Sequence, residues 1–169
     1  MKRRALLAAL LAAAAPLPEG YRLDDYRAPV PDTVPGASVI HVPEIQALIA
    51  TNTAILIDVF PAPRRPESMR PGLPWLPTPH QTLPGALWWP EIGRGAVSSS
   101  IETHLRQRLM EVAGDRLVVF FCLPDCWMSW NATKRAAIMG FKAAWFPEGT
   151  EGWREAGLVL VPVQPELIE

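Results

Sequence analysis

Cysteine is almost missing from this 169-residue chain, which holds only Cys122 and Cys126, so a small disulfide-dense scaffold is excluded. Histidine is scarce as well: His41, His80 and His104 are scattered, and none is near the cysteines in sequence. Cys-x-x-Cys-His, the pattern for covalent haem attachment, is lacking, because three residues separate the cysteines and Trp127 follows them. No excess charge of either sign is present at a net −1, and discounting Lys2, Arg3 and Arg4 takes it to about −4, which argues against a nucleic-acid partner. No apolar run reaches the roughly 20 residues of a membrane helix, so no stable membrane insertion is expected. Internal repeats are lacking too, and the length suits one domain with a core of its own.

What the chain does have in quantity is proline and tryptophan, at 19 and seven residues. The prolines concentrate before residue 45 and between Pro61 and Pro90, regions expected to be mostly irregular. The N-terminus "MKRRALLAALLAAAAPLPEG" joins a basic start to an apolar run from Ala5 to Ala15, the pattern of a secretory signal peptide over residues 1–15. The expected compartment is the bacterial periplasm, where cysteine pairs can oxidise. Residues 16–36 follow as an extended proline-bearing arm, leaving residues 37–169 as the folded domain.

Within that domain strand-like runs alternate with helical patterns. "PEIQALIATN" has Pro43 at a helix start, and "AILIDVF" is a continuous β-rich run suited to a strand covered on both faces. "SSSIETHLRQRLMEVAG" has Ser99 and Glu102 at capping-box spacing, Ile101, Leu105 and Leu109 on one face, and Gly114 as a stop. "LVVFF" is the next buried strand, followed by a helix beginning near Ser129 and ending at Gly140, a short strand "AAWF", and "LVLVPV" closing the chain. This order predicts an α/β domain with a mainly parallel sheet flanked by helices.

In such sheets ligands bind at the carboxyl ends of the strands, and Cys122 sits at one, between "LVVFF" and the next helix. A positive helix end there favours a thiolate. Three readings of the pair stay open. A structural disulfide across so short a loop removes little unfolded-state entropy. A soft pair with Met128 could hold copper(I). In redox or sulfur chemistry, Cys122 attacks as thiolate and Cys126 resolves the mixed species. Asp58 is expected to orient backbone groups at a strand end, and the three histidines to be surface or internally satisfied. Trp130 and Trp145 lie in core-like patterns, while Trp75, Trp88, Trp89 and Trp127 either pack a proline-rich loop or stack on a flat ligand such as a quinone.

Four blocks in order resemble the rhodanese-like family: "AILIDVF" with Asp58, "TLPGALWWP" with its apolar-Pro-Gly-Ala turn, "VVFFC" ending in Cys122, and "GFKAAWFPEGTEGWREAG". The resemblance spans about residues 37 to 162 and implies a single rhodanese-like α/β domain in which Cys122 falls on the cysteine that carries a persulfide. More narrowly, "PAPRRPESMRPGLPWLPTPHQTLPGALWWP" with "CLPDCWMSWN" is similar to the secreted Cys-x-x-Cys-Trp proteins that accompany pyrroloquinoline quinone dependent alcohol oxidation. The match implies a periplasmic thiol, disulfide or persulfide donor as partner, with a quinoprotein dehydrogenase or cytochrome as a further candidate, and no resident cofactor or metal is assigned. The chain departs from the pattern in its longer cysteine spacing, in Met128 where many members place an arginine, and in the negative Asp125. Asp125, Trp127, Met128 and Ser129 are the expected substrate loop, with Arg64 and Arg65 as compensating cations or else solvated loop charges. The resulting expectation is thiol redox or sulfur relay. Its rivals are a noncatalytic module binding a cofactor, copper or cytochrome, and a structural partner protein with an inert disulfide.

Overall fold

A computed structural model describes residues 14–168 of the chain. The expected signal peptide, apart from Ala14 and Ala15, lies outside the described residues. Five parallel strands form the central sheet: β1 (Ser38–Val39), β2 (Ala54–Asp58), β4 (Leu87–Trp88), β5 (Leu117–Phe121) and β6 (Ala143–Phe146), in spatial order β1-β6-β5-β2-β4. An all-parallel sheet has both faces covered, so its central strands can be apolar throughout, as "LVVFF" is. Alternate residues of β5 feed two cores. Val118 and Phe120 pack with Leu105 and Leu109 of α2 (Ser99–Ala113) and Ala132 and Ala136 of α3 (Trp127–Ile138). Val119 and Phe121 pack with Ile45 of α1 (Val42–Thr51) and Trp153 of α4 (Gly149–Glu155).

Helix ends follow local chemistry, with two shifts from expectation. Pro43 stands in the first turn of α1, where a missing N–H costs nothing, and Glu44 accepts the His41 N–H. In α2 the cap is Ser98 rather than Ser99: three successive serines offer three registers, and the extended Ser98 is the one whose Oγ accepts the Ile101 N–H at 3.2 Å. The anticipated capping box with Glu102 is therefore not formed. The α3 helix begins at Trp127, two residues before the expected start. The closing run "LVLVPV" contributes only β7 (Val161–Pro162), which pairs antiparallel with β3 (Gln81–Thr82) in a separate two-stranded sheet. Pro162 has no N–H for a central ladder, which keeps this segment at an edge.

The arm does not stand apart from the domain. A third cluster joins Val34 to Trp127, Trp130 and Trp145, with Tyr26, Ala28 and Val30 packed against it.

Candidate functional site

The cysteine loop leaves β5 at Cys122 and enters α3 at Trp127, so Cys126 occupies the N-cap. Here the structure corrects the sequence reading, which has Cys122 facing the helix end. Because the helix starts earlier than Ser129, the positive end is given to Cys126. Asp125 takes φ +52, an αL conformation that an aspartate tolerates, and this turns the chain between the two cysteines. From the other side α4 closes on the loop. Thr150 N–H donates to the Cys122 carbonyl at 3.0 Å, and a Cβ on Gly149 would stand 2.1 Å from that oxygen, so only glycine fits.

Both sulfurs are free and buried, at 1% exposure for Cys122 and 3% for Cys126, and they stand 2.8 Å apart. This is inside van der Waals contact and less than about 1 Å beyond a covalent S–S bond. Removing one proton leaves the charge on Cys126. Its pKa falls to about 7, first because the Cys122 thiol donates to it, then because backbone N–H groups of Met128, Leu123 and Ser129 surround it. The Met128 and Ser129 groups belong to the polarised helix start and the Leu123 group to the loop after β5, although none reaches strict cap geometry. Burial pushes the Cys122 thiol well above its usual range, and the charges of Cys126 and Asp58 push in the same direction. One thiolate and one thiol in contact can attack a sulfur and then resolve the product.

The residues expected around the pair divide in two. Ser129 is buried, donates to the Cys126 carbonyl at 3.0 Å, and accepts from Trp145 Nε1 at 2.9 Å, which locks the cap against β6. Met128 is buried in the core shared with α2. Trp127 is buried, and its Nε1 donates to the Pro29 carbonyl of the arm. The Asp125 side chain is exposed and borders a cavity of about 540 Å³ with Asp32, His41 and Trp145, while its carbonyl accepts Ala28 N–H. Arg64 and Arg65 are not drawn into this group: Arg64 pairs with Glu91, and Arg65 donates to the Arg70 carbonyl. Among the described residues no cluster of three or more His, Cys, Asp and Glu side chains could hold a metal ion. Trp88 and Trp89 are buried, their indole N–H groups donating to the Phe60 carbonyl and to Glu166 Oε2.

Sequence reasoning missed what covers the site. The arm crosses α3 and pairs with the cysteine loop, Arg27 forming an antiparallel bridge with Cys126. Asn131, Lys134 and Arg135 are buried polar residues on α3, and the signal was available: with Trp127 and Trp130, the first two complete an i, i+3, i+4, i+7 stripe. Arg135 turns the other way, donating to the carbonyls of Ile92, Arg94 and Gly95. Asp58, as expected, accepts a backbone N–H at its strand end, from Phe60 at 2.8 Å. It also takes Thr82 Oγ1 and His80 Nε2, both at 2.7 Å, making His80 an internally satisfied histidine.

No protein-family model matches the sequence, and no curated protein matches it. Solved structures do match. The chain is similar to the BH2092 protein of Bacillus halodurans at 16% identity and a TM-score of 0.51, over 74% of this chain and 77% of that one. A thiosulfate sulfurtransferase from Pseudomonas aeruginosa matches at 20% identity and a TM-score of 0.50, over 79% of this chain and 22% of that one. EanB in complex with ergothioneine matches at 15% identity and a TM-score of 0.56, over 82% of this chain and 34% of that one. With five parallel strands, two helices on each face and a cysteine at the carboxyl end of the central strand, the domain has the rhodanese-like α/β fold.

Proposed function

We propose that the protein is a thiol relay built on the rhodanese-like fold, in which Cys126 attacks a disulfide or persulfide of a partner and Cys122 resolves the product. The observation that carries this reading is the pair of free sulfurs 2.8 Å apart with one at a helix N-cap. For a partner disulfide R–S–S–R′, the Cys126 thiolate attacks one sulfur, forms Cys126–S–S–R and expels R′–S⁻, which takes up a proton. Cys122 then loses its proton and attacks Cys126 Sγ, releasing R–S⁻ and closing the Cys122–Cys126 disulfide. Two electrons have passed to the partner. With a persulfide R–S–SH, attack on the outer sulfur yields Cys126–S–SH and R–S⁻. Cys122 can then displace HS⁻, or an acceptor thiol can carry the sulfur away.

Neutral or protein-borne donors suit the site better than a dianion. Asp125 adds negative charge to the loop, and the hydrogen bonds of Arg64 and Arg65 lie elsewhere. The proposed setting is the bacterial periplasm, with the relay an accessory to pyrroloquinoline quinone dependent alcohol oxidation and a quinoprotein dehydrogenase or cytochrome as partner. The leader-like N-terminus and the resemblance of the cysteine loop support that setting.

The test is to react Cys122→Ser and Cys126→Ser variants with a small disulfide and follow the products by mass spectrometry. Cys122→Ser should accumulate a mixed disulfide on Cys126, because nothing resolves it, while Cys126→Ser should react at least about tenfold more slowly. An adduct that accumulates on Cys122 instead would reverse the two roles. Absence of any mixed disulfide in both variants would sink the relay.

A further inference from the structure

Besides one bond to an arm side chain, from Gly95 N–H to Tyr26 Oη at 3.1 Å, eight hydrogen bonds seat the arm, and all eight engage it through its main chain. Four side chains of one α3 stripe supply most of them. Trp127 Nε1 donates to Pro29 O at 3.1 Å and Trp130 Nε1 to Thr33 O at 2.9 Å. Asn131 donates to Arg22 O at 2.8 Å and accepts Arg22 N–H at 3.0 Å, and Lys134 donates to Glu19 O and Gly20 O at 3.0 and 2.7 Å. The edge of the cysteine loop supplies the rest: Trp127 N–H donates to Tyr26 O at 2.9 Å, and Ala28 N–H to Asp125 O at 3.2 Å. Between these two bonds Arg27 stands opposite Cys126. Recognition of this kind reads an extended backbone and is largely indifferent to side chains, as in strand addition.

With the arm seated, Cys122 is 1% and Cys126 3% exposed, so no donor reaches the sulfurs in this state. We infer that α3 and the edge of the cysteine loop form a groove for an extended polypeptide, that arm residues 19–33 are its resident occupant, and that the sulfur-bearing segment of a partner protein replaces the arm to reach Cys126. The inference rests on the relay reading and names its substrate class: a disulfide or persulfide carried on an extended chain. The register supports this. Residues opposite one another in an antiparallel pair have Cα atoms about 4.5–5.5 Å apart, inside the range a disulfide requires, so a replacing segment presents the residue at the Arg27 position to Cys126 at bonding distance. Only side chains such as Tyr21, whose ring lies 4.4 Å from the Arg135 guanidinium, add preference for the arm's own sequence.

The experiment uses the full chain and its Ala28→Pro variant, which removes the N–H given to Asp125 and leaves every residue of α3 and both cysteines unchanged. Iodoacetamide should alkylate the reduced variant about tenfold faster than wild type, the ratio expected for one lost hydrogen bond. A fluorescent synthetic peptide covering residues 19–33 should bind the variant saturably, and N-methylation at the residue 28 amide should abolish binding. The same peptide carrying Arg27→Cys as its mixed disulfide with thionitrobenzoate should release thionitrobenzoate at least about tenfold faster than its N-methylated counterpart. Tyr21→Ser, a second way to loosen the arm, should speed alkylation in the same direction. Unchanged alkylation in both variants, or peptide binding indifferent to N-methylation, overturns the groove. Faster alkylation and saturable binding without thionitrobenzoate release keep the groove and defeat the relay.

Discussion

Two proline-rich segments of this molecule share a composition and differ in fate. The arm, residues 16–36, has five prolines and is fastened to α3 and the cysteine loop through its main chain. The loop from Pro61 to His80 has seven, and its hydrogen bonds are local, as Met69 N–H to Pro66 O, or run through the single side chain of Arg64 to Glu91 until His80 reaches Asp58. Leu73 and Leu76 on that loop are 50% and 91% exposed. Proline removes donors from both segments equally. What separates them is the facing surface: the arm meets a helix stripe of indoles, an amide and an ammonium, and the loop meets no such row.

The largest effect should come from removing a donor on the arm's side. Asn131→Ala leaves Arg22 N–H and the carbonyls of Arg22 and Gly93 without their partner. A loss of about 2–4 kcal/mol is expected in urea denaturation, with cleavage of the arm by added protease, because buried groups left unpaired cost about 1–3 kcal/mol each. A loss under about 1 kcal/mol would show that the arm is as loosely held as the loop.

An intermediate effect follows from the thiolate beneath the arm. Cys126 has its pKa lowered from 9.0 to about 7 in the fold, so between those values the unfolded chain binds more protons and stability rises with pH. The contribution is lost as pH falls through about 7. The reduced protein should therefore be more stable at pH 8.5 than at pH 6 by on the order of 1–2 kcal/mol, and the disulfide form should not share the trend. A flat or opposite trend in the reduced protein would remove the charge from Cys126.

The smallest effect belongs to the loop. Arg65→Ala removes an exposed side chain that bonds only the Arg70 carbonyl, and both stability and thiol reactivity should change little, within about 0.5 kcal/mol for stability. A marked fall in reactivity toward an anionic donor would instead return Arg65 to the site, as the sequence reading allowed.

Much of the fold was legible because its signals are local. "AILIDVF" and "LVVFF" are apolar throughout, as buried parallel strands must be, and Leu105 and Leu109 mark the inner face of α2 as their spacing predicts. Errors fell where neighbours in sequence competed: Ser98 against Ser99 for the cap, and two residues at the start of α3. The second shift matters chemically, since it moves the helix end from facing Cys122 to holding Cys126. The family resemblance puts Trp127 and Ser129 in the substrate loop; in the structure one holds the arm and the other ties the cap to Trp145.

The sequence by itself determined the class of fold, the placement of both cysteines between a central strand and a helix, and the lack of a long apolar span, because these depend on periodicity and on residues a few positions apart. Only the tertiary structure decided which sulfur takes the helix N-cap, that Asp58 binds His80, and that the arm lies across the site. Asn131 and Arg22 are 109 positions apart, and no local pattern relates them. Their meeting follows from packing the arm onto a helix face whose buried donors need acceptors, a requirement that exists only once the chain has folded.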